Sequence, residues 1–343
     1  MTGDHGMLMI CGVAIASLLV GSHAHAYEIH VAPGGDDAGL GTEARPLATL
    51  QRARDAVRER GHAEPATVVL HGGTHRLAEA LQLTPLDSGT EECPVTFRPR
   101  EGEQAIISGG LPVIGWRKHD DQLWVADVPW AAERDEPFTQ LFVGGARRPR
   151  ARTPNEGTYF YSKRLHMQDT QCLGLTYAED DLGPWADDED ALICLFHNWV
   201  NSYNRIGEAN WERRRVDFAR PAGIFFLGPS VRYYIENVFE ALDAPGEWYL
   251  DHDAGTLYYY PLPGEVMDEV EIVAPAVPVT LVELTGDARL GLGVEHVHFR
   301  GLSFQHADAD LSPDYEHGVQ GAVHQKGAIH ARGASNCVIE DCE

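Results

Sequence analysis

Between His197 and Arg205 the chain sets a flat ring among hydrogen-bonding groups: His197-Asn198-Trp199, then Tyr203 and Arg205. A sugar is recognised by such a mixture, its C–H face lying on an aromatic ring while its hydroxyls meet polar side chains. The same run reads equally well as core, with Trp199 buried and His197 a satisfied neighbour. A second cluster, Arg147, Arg148, Arg150 and Arg152, is a basic run in an acidic chain. Arg150 and Arg152 flank Ala151, so a strand would place both on one face, to bind an acidic sugar or to pair with nearby carboxylates. The acidic stretch 179–190 (EDDLGPWADDED) lacks the spaced ligands and central Gly of a calcium loop and reads as a solvated surface loop. The sequence holds no GxSxG elbow and no Walker-type loop, and Gly72-Gly73 reads as a turn.

The elements that must carry these groups are short and repeated. His296 to Leu302 and Asn336 to Cys342 share one rhythm of apolar and polar residues, 40 positions apart. Before each stands a shorter apolar run and a Gly-bearing turn, Val282 to Gly286 and Ile329 to Gly333. Short strand, sharp turn and short strand, repeated, describe a solenoid whose turns bury their apolar faces only against each other. Val68-Val69-Leu70, Leu81-Gln82-Leu83, Val95-Thr96-Phe97 and Ala105-Ile106-Ile107 extend the pattern toward the N-terminus, with corresponding strands recurring roughly every 25 residues. A helix is predicted from about Thr49 to Arg60, with Thr49 as N-cap, Leu50, Ala53 and Val57 on one face and Gly61 as the stop. Placed directly before the strands, it would cover the open end of the first turn.

From about Gly115 to Pro275 the composition changes. All seven tryptophans lie in this stretch, and Trp248-Tyr249-Leu250 and Thr256-Leu257-Tyr258 read as a hairpin around Asp253-Ala254-Gly255. The expected fold is therefore all-β: a right-handed parallel β-helix with an N-terminal capping helix and an inserted, mainly-β, sandwich-like domain. The expected division is a signal peptide over 1–26, cap and first turns over 27–114, the inserted domain over 115–275, and further turns over 276–343, incomplete at the C-terminus.

A chain of 343 residues has room for two domains. Its net charge of −25 argues against nucleic acid or an anionic membrane as partner and weighs mildly against a polyanionic sugar. Residues 8–20 (LMICGVAIASLLV) have signal-peptide length and Ala24-His25-Ala26 offers a small-x-small cleavage site, so the expected location is secreted or periplasmic. Met1 to Met7 lacks the usual Lys or Arg, which leaves Met7 and Met9 as alternative starts, and Cys11 follows a bulky Ile10 that fits a lipoprotein site poorly. Beyond the leader five cysteines remain, an odd number without a disulfide framework. Cys172 and Cys194 either pair or sit apart; Cys337 and Cys342 suit small buried positions in the wall. The cysteine spacing offers no zinc register, and nothing in the sequence calls for a metal or cofactor.

VAPGGDDAGLGTEARPLATLQRA, LFVGGARRPRARTPNEG, GEWYLDHDAGTLYYYPLPGE, FRGLSFQHAD and GAIHARGASNCVIEDCE together resemble secreted bacterial β-helix glycoside hydrolases. The likeness is to the fucosidase- and xylanase-like group and the related β-xylosidases, and it extends over most of the chain from Tyr27. It implies an enzyme acting on plant or algal polysaccharide with an oligo- or polysaccharide as partner. It also implies two carboxyl groups, one protonating the leaving oxygen while the other attacks or activates water. In that group these acids belong to turns after the GAIHARG-type segment, so they are expected beyond Glu343. The nearest acids by position here are Asp308 and Asp310. The substrate-binding candidates are His197, Trp199, Tyr203, Arg205, Arg150 and Arg152. A polysaccharide lyase and a non-catalytic carbohydrate-binding or adhesion protein are the alternatives, the first requiring a calcium-binding ladder that these strands do not display.

Overall fold

A computed structural model describes residues 26–223, 230–277, 279–287, 289–311 and 325–343. The proposed signal sequence through His25, with Cys11, lies outside the described residues. The fold is all-β. Among the described residues the α-helices are Leu50–Arg60 and the single turn Pro129–Ala132, and no helix is long and apolar enough to cross a membrane.

Three parallel ladders of three or more strands take one strand each from successive passes of the chain, and a shorter one pairs Val294–Glu295 with Ala334–Ser335. The longest stacks Tyr27–Val31, Ala66–Leu70, Val95–Pro99, Val297–Arg300 and Val338–Glu340. A second joins Gly73–Arg76, Ala105–Ser108 and Ser303–Gln305. The third joins Leu81–Leu83, Val282–Thr285 and Ile329–Arg332. In-register parallel pairing puts like residues on like: Ile29, Val68, Phe97 and Phe299 form one inward column, and the last two rings stack with centroids 5.0 Å apart. His298 pairs with Val338, Phe299 with Ile339 and Arg300 with Glu340, the offset read in the sequence. His296 and Asn336, at equivalent positions, both hold positive φ, as do Gly301 and Asp341, each at the far end of the same strand. Asn and Asp tolerate that conformation through local hydrogen bonding, and Gly takes it without steric penalty. The repeat is thus one of backbone conformation as well as of polarity.

Helix Leu50–Arg60 begins where expected. The Thr49 hydroxyl oxygen accepts from the Arg52 amide, Gly61 at φ 84° returns its N–H to Val57, and Leu50, Ala53 and Val57 are buried in the ladder core. Arg58 secures its far end through two 2.6 Å hydrogen bonds to the carboxylate of buried Asp87.

Between Gly109 and Ala276 the chain builds antiparallel sheets instead. Strands Arg164–Gln168, Gln171–Thr176, Arg215–Gly223, Asn201–Asn210, Leu192–Phe196 and Arg232–Glu236 run in that order, with Arg152–Thr153 and Phe160–Tyr161 also pairing on Arg232–Glu236. A four-stranded sheet contains the expected hairpin Trp248–Asp251 and Thr256–Tyr259, flanked by Trp124–Asp127 and Arg117–Lys118. Gly110–Pro112 and Ile272–Pro275 pair with each other where the segment leaves and returns. The segment holds two principal apolar cores, one around Tyr233 and Ile235 and one around Trp248 and Phe138. Cys172 and Cys194 are both buried and not bonded to each other. Cys337 and Cys342 pack half-buried against the ladder core.

Candidate functional site

A cleft of about 420 Å³ opens where the antiparallel segment meets the ladders. Stretches far apart in sequence wall it: 133–139 after the short helix Pro129–Ala132, Arg150, the pair Asp190 and Leu192 with Arg205 across the sheet, Ala276 with Val279, and 308–311 after strand Ser303–Gln305. Leu192 and Arg205 are register partners, which is why a loop acid and a strand arginine face one cavity.

Asp308 is the clasp of the cleft. Its Oδ1 accepts from the Thr139 amide at 2.9 Å, the Thr139 hydroxyl at 2.7 Å and the Ala309 amide at 3.0 Å, and Arg134 approaches Oδ2 at 3.4 Å. Arg134 also donates to the Pro275 and Ala276 carbonyls, tying three segments together. Burial pushes the Asp308 carboxyl up, opposed by the donors of Thr139 and Ala309 and by Arg134. Asp310 lies on the same wall, half-buried.

Opposite stand two arginines. Arg205 donates to Glu136 at 2.6 Å and lies 3.5 Å from Asp190. Asp190 also faces His252 Nδ1 at 3.5 Å. Burial raises the Asp190 carboxyl against the pull of Arg205 and His252. Arg150 is buried beside Glu236, with Nη1 3.4 Å from the carboxylate. Burial raises Glu236 too, against Arg150 and Arg152. Three buried guanidinium nitrogens on this wall, Nε and Nη2 of Arg150 and Nε of Arg205, have no hydrogen-bond partner among the described residues.

Of the residues singled out in the sequence, Arg150, Arg205, Asp308 and Asp310 therefore converge on one cleft. The others do not. Arg152 lies over the Tyr234 ring at 3.7 Å and donates to the Pro154 and Thr158 carbonyls. His197 is buried 2.9 Å from the Ser202 hydroxyl, and burial drives its imidazole down to about 4. Tyr203, half-buried, accepts from Asn201 at 3.3 Å, and burial raises its phenol. Trp199 lies in the turn between Leu192–Phe196 and Asn201–Asn210, 52 % exposed. The stretch 179–190 is not simply a solvated loop. Asp181 accepts from the Tyr233 hydroxyl at 2.7 Å and Asp188 from that of Tyr249 at 3.0 Å, and Asp190 is buried. Tyrosines of the core draw these acids inward, since a buried phenol needs a partner. Arg134, Glu136, Thr139, Asp190 and Glu236 escaped the sequence reading; the one available signal was Asp190, an acid set directly against the apolar run Ala191 to Leu195.

Residues 121–262 match the GH141 insertion domain. Among solved structures the chain resembles a glycoside hydrolase with a TM-score of 0.76 and 26 % identity, over 92 % of this chain and 61 % of that one. A weaker likeness is to XylC, solved with xylose: TM-score 0.43, 15 % identity, over 91 % of this chain and 40 % of that one. The uncharacterized protein YwoF of Bacillus subtilis (strain 168) is 36 % identical over 81 residues, 24 % of this chain and 15 % of that protein. The chain thus spans 61 % of the glycoside hydrolase it matches and 15 % of YwoF.

Proposed function

We propose that this chain belongs to an exported carbohydrate-active enzyme, a glycoside hydrolase of plant or algal polysaccharide. In this reading the parallel ladders are turns of a right-handed parallel β-helix with the Leu50–Arg60 helix as its cap, and 115–275 is an inserted β domain. The observation that carries it is the cleft: donors of Arg150 and Arg205 confront the acids Asp190, Asp308 and Asp310 in a cavity of about 420 Å³, room for a sugar unit. A hydroxyl both donates and accepts, so a polyol ring suits a wall that alternates guanidinium and carboxylate. The likeness to a glycoside hydrolase and the match to the GH141 insertion domain support the same class.

Hydrolysis of a glycosidic bond needs one carboxyl to protonate the departing oxygen and another to attack or activate water. Asp308 is poorly suited to move, since its Oδ1 accepts three hydrogen bonds; it holds the wall. That observation favours, as a second reading, a cleft that binds sugar without cleaving it.

Titration of the folded chain with xylo- and fuco-oligosaccharides, followed by the guanidinium resonances of Arg150 and Arg205, tests the binding. Release of reducing ends from the same sugars separates hydrolysis from binding alone. Perturbation confined to the cleft supports the assignment, and no saturable shift in the millimolar range sinks it.

A further inference from the structure

Among the cleft's three arginines, Arg150 stands apart in how little of its charge is met. Arg134 is matched by Asp308 and Arg205 by Glu136 and Asp190. Arg150 touches a carboxylate only through Nη1, at 3.4 Å, longer than a charge-assisted hydrogen bond prefers. Its remaining polar atoms, Nε and Nη2, are buried without a partner among the described residues. These two nitrogens form the side-on edge of a guanidinium, two parallel N–H groups at the spacing of a carboxylate's oxygens. The Trp248 ring, 5.7 Å from the guanidinium carbon, backs the group, and Trp248 itself is fully buried. The edge is closed to water in this structure, and it belongs to a residue that lines the cleft, so a ligand reaches it by parting the cleft wall.

Resting on the carbohydrate reading above, we propose that Arg150 anchors an acidic sugar, its Nε and Nη2 gripping the carboxylate of one uronate unit. A neutral sugar presents single hydroxyls, each meeting one donor; a carboxylate meets both in one plane. The surrounding acids set a limit. Glu133 and Asp135 line the cleft mouth and are exposed, where water and salt screen them. Asp310 is half-buried on the far wall. Together with the net charge of −25, they disfavour a polyanion, so the ligand that fits carries an isolated carboxylate on an otherwise neutral glycan.

The test uses the whole chain and three probes: methyl β-D-glucuronide, its methyl ester, and methyl β-D-glucoside. The ester keeps shape and removes charge. The acid is expected to bind at least about fivefold more tightly than the ester, with the preference shrinking at high salt. Arg150→Lys, which keeps the charge and loses the fork, should reduce that ratio toward unity. If this variant does not fold, the ratio in the unaltered protein decides alone. Equal binding of acid, ester and glucoside overturns the role of Arg150 and leaves the carbohydrate reading standing. Failure of all three to bind in the millimolar range, together with failure of the neutral oligosaccharides, overturns both.

Discussion

The parallel ladders and the antiparallel segment hide their sheet faces by different means. In the ladders, strands of two to five residues stack like on like, and one continuous core joins Tyr27 to Leu302. In the antiparallel segment, strands reach ten residues and the apolar residues divide between separate cores. Aromatic hydroxyls there are tied to acids: Tyr233 to Asp181, Tyr249 to Asp188, and Tyr259 to Glu265 at 2.6 Å. A stack shares a defect with its neighbours, because each strand's inner face is completed by the next. A partitioned core confines it.

The largest test of this contrast is Phe97→Ala. Phe97 is buried in the middle of its column, against Phe299. Truncation should remove about 3–5 kcal/mol of stability, and hydrogen exchange should rise in strands both before and after it. A rise confined to Val95–Pro99 would break the picture of a shared stack.

Asp308→Asn loosens the clasp between the two regions. It removes charge from a buried acceptor of three donors, and a loss of about 1–3 kcal/mol is expected. Exchange should quicken over 134–139 while the ladders hold, as denaturant melts and amide protection would show. Protection unchanged over 134–139 would mean the two regions are joined elsewhere.

A third difference is in acid. The folded protein holds His197 neutral, its imidazole lowered to about 4 by burial from an ordinary 6.5. The unfolded chain takes up the proton first, so this contribution is complete above pH 6.5 and is lost as the pH falls toward 4. Urea midpoints of His197→Gln should vary less with pH over that window than those of the unaltered protein. Equal slopes would assign the acid sensitivity to other groups.

Trp199→Ala should do least. Half-exposed in a turn and outside the cleft, it should shift stability by no more than about 0.5 kcal/mol and leave ligand affinity in the cleft unchanged. A tenfold loss of oligosaccharide affinity would instead locate a second sugar surface at this turn.

What could be read from the sequence follows the same division. The pairing of 298–300 with 338–340 was legible because each side chain of a stack answers to the same position one turn away. The helix was legible because its cap, face and stop are local: Thr49, then Leu50, Ala53 and Val57, then Gly61. The cleft was not. Its walls come from stretches as distant as Arg134 and Asp308, and no local pattern relates them. Arg150 and Arg205 drew notice for their chemistry, yet nothing in the chain told Arg150 from Arg152, whose guanidinium lies instead on Tyr234. Alternation by two would set both on one face; the chain is a regular strand only from Arg152, and Arg150 makes an isolated bridge to Trp248.

The point where the chain leaves the ladders bears on the order of assembly. Both Ala276 and Val277 donate to the carbonyl of Gly109 at 2.8 Å, so the long excursion ends on the residue where it began. Before the excursion folds, bringing Val297–Arg300 onto Val95–Pro99 means closing a loop as long as the whole antiparallel segment. Once it has folded, the same strands are separated by an effective loop of roughly 30 residues, which lowers the entropic cost of closure by about 1.5–2 kcal/mol. The antiparallel segment then acts as an internal splint, and the late ladder strands gain their rate of docking from a region they scarcely touch.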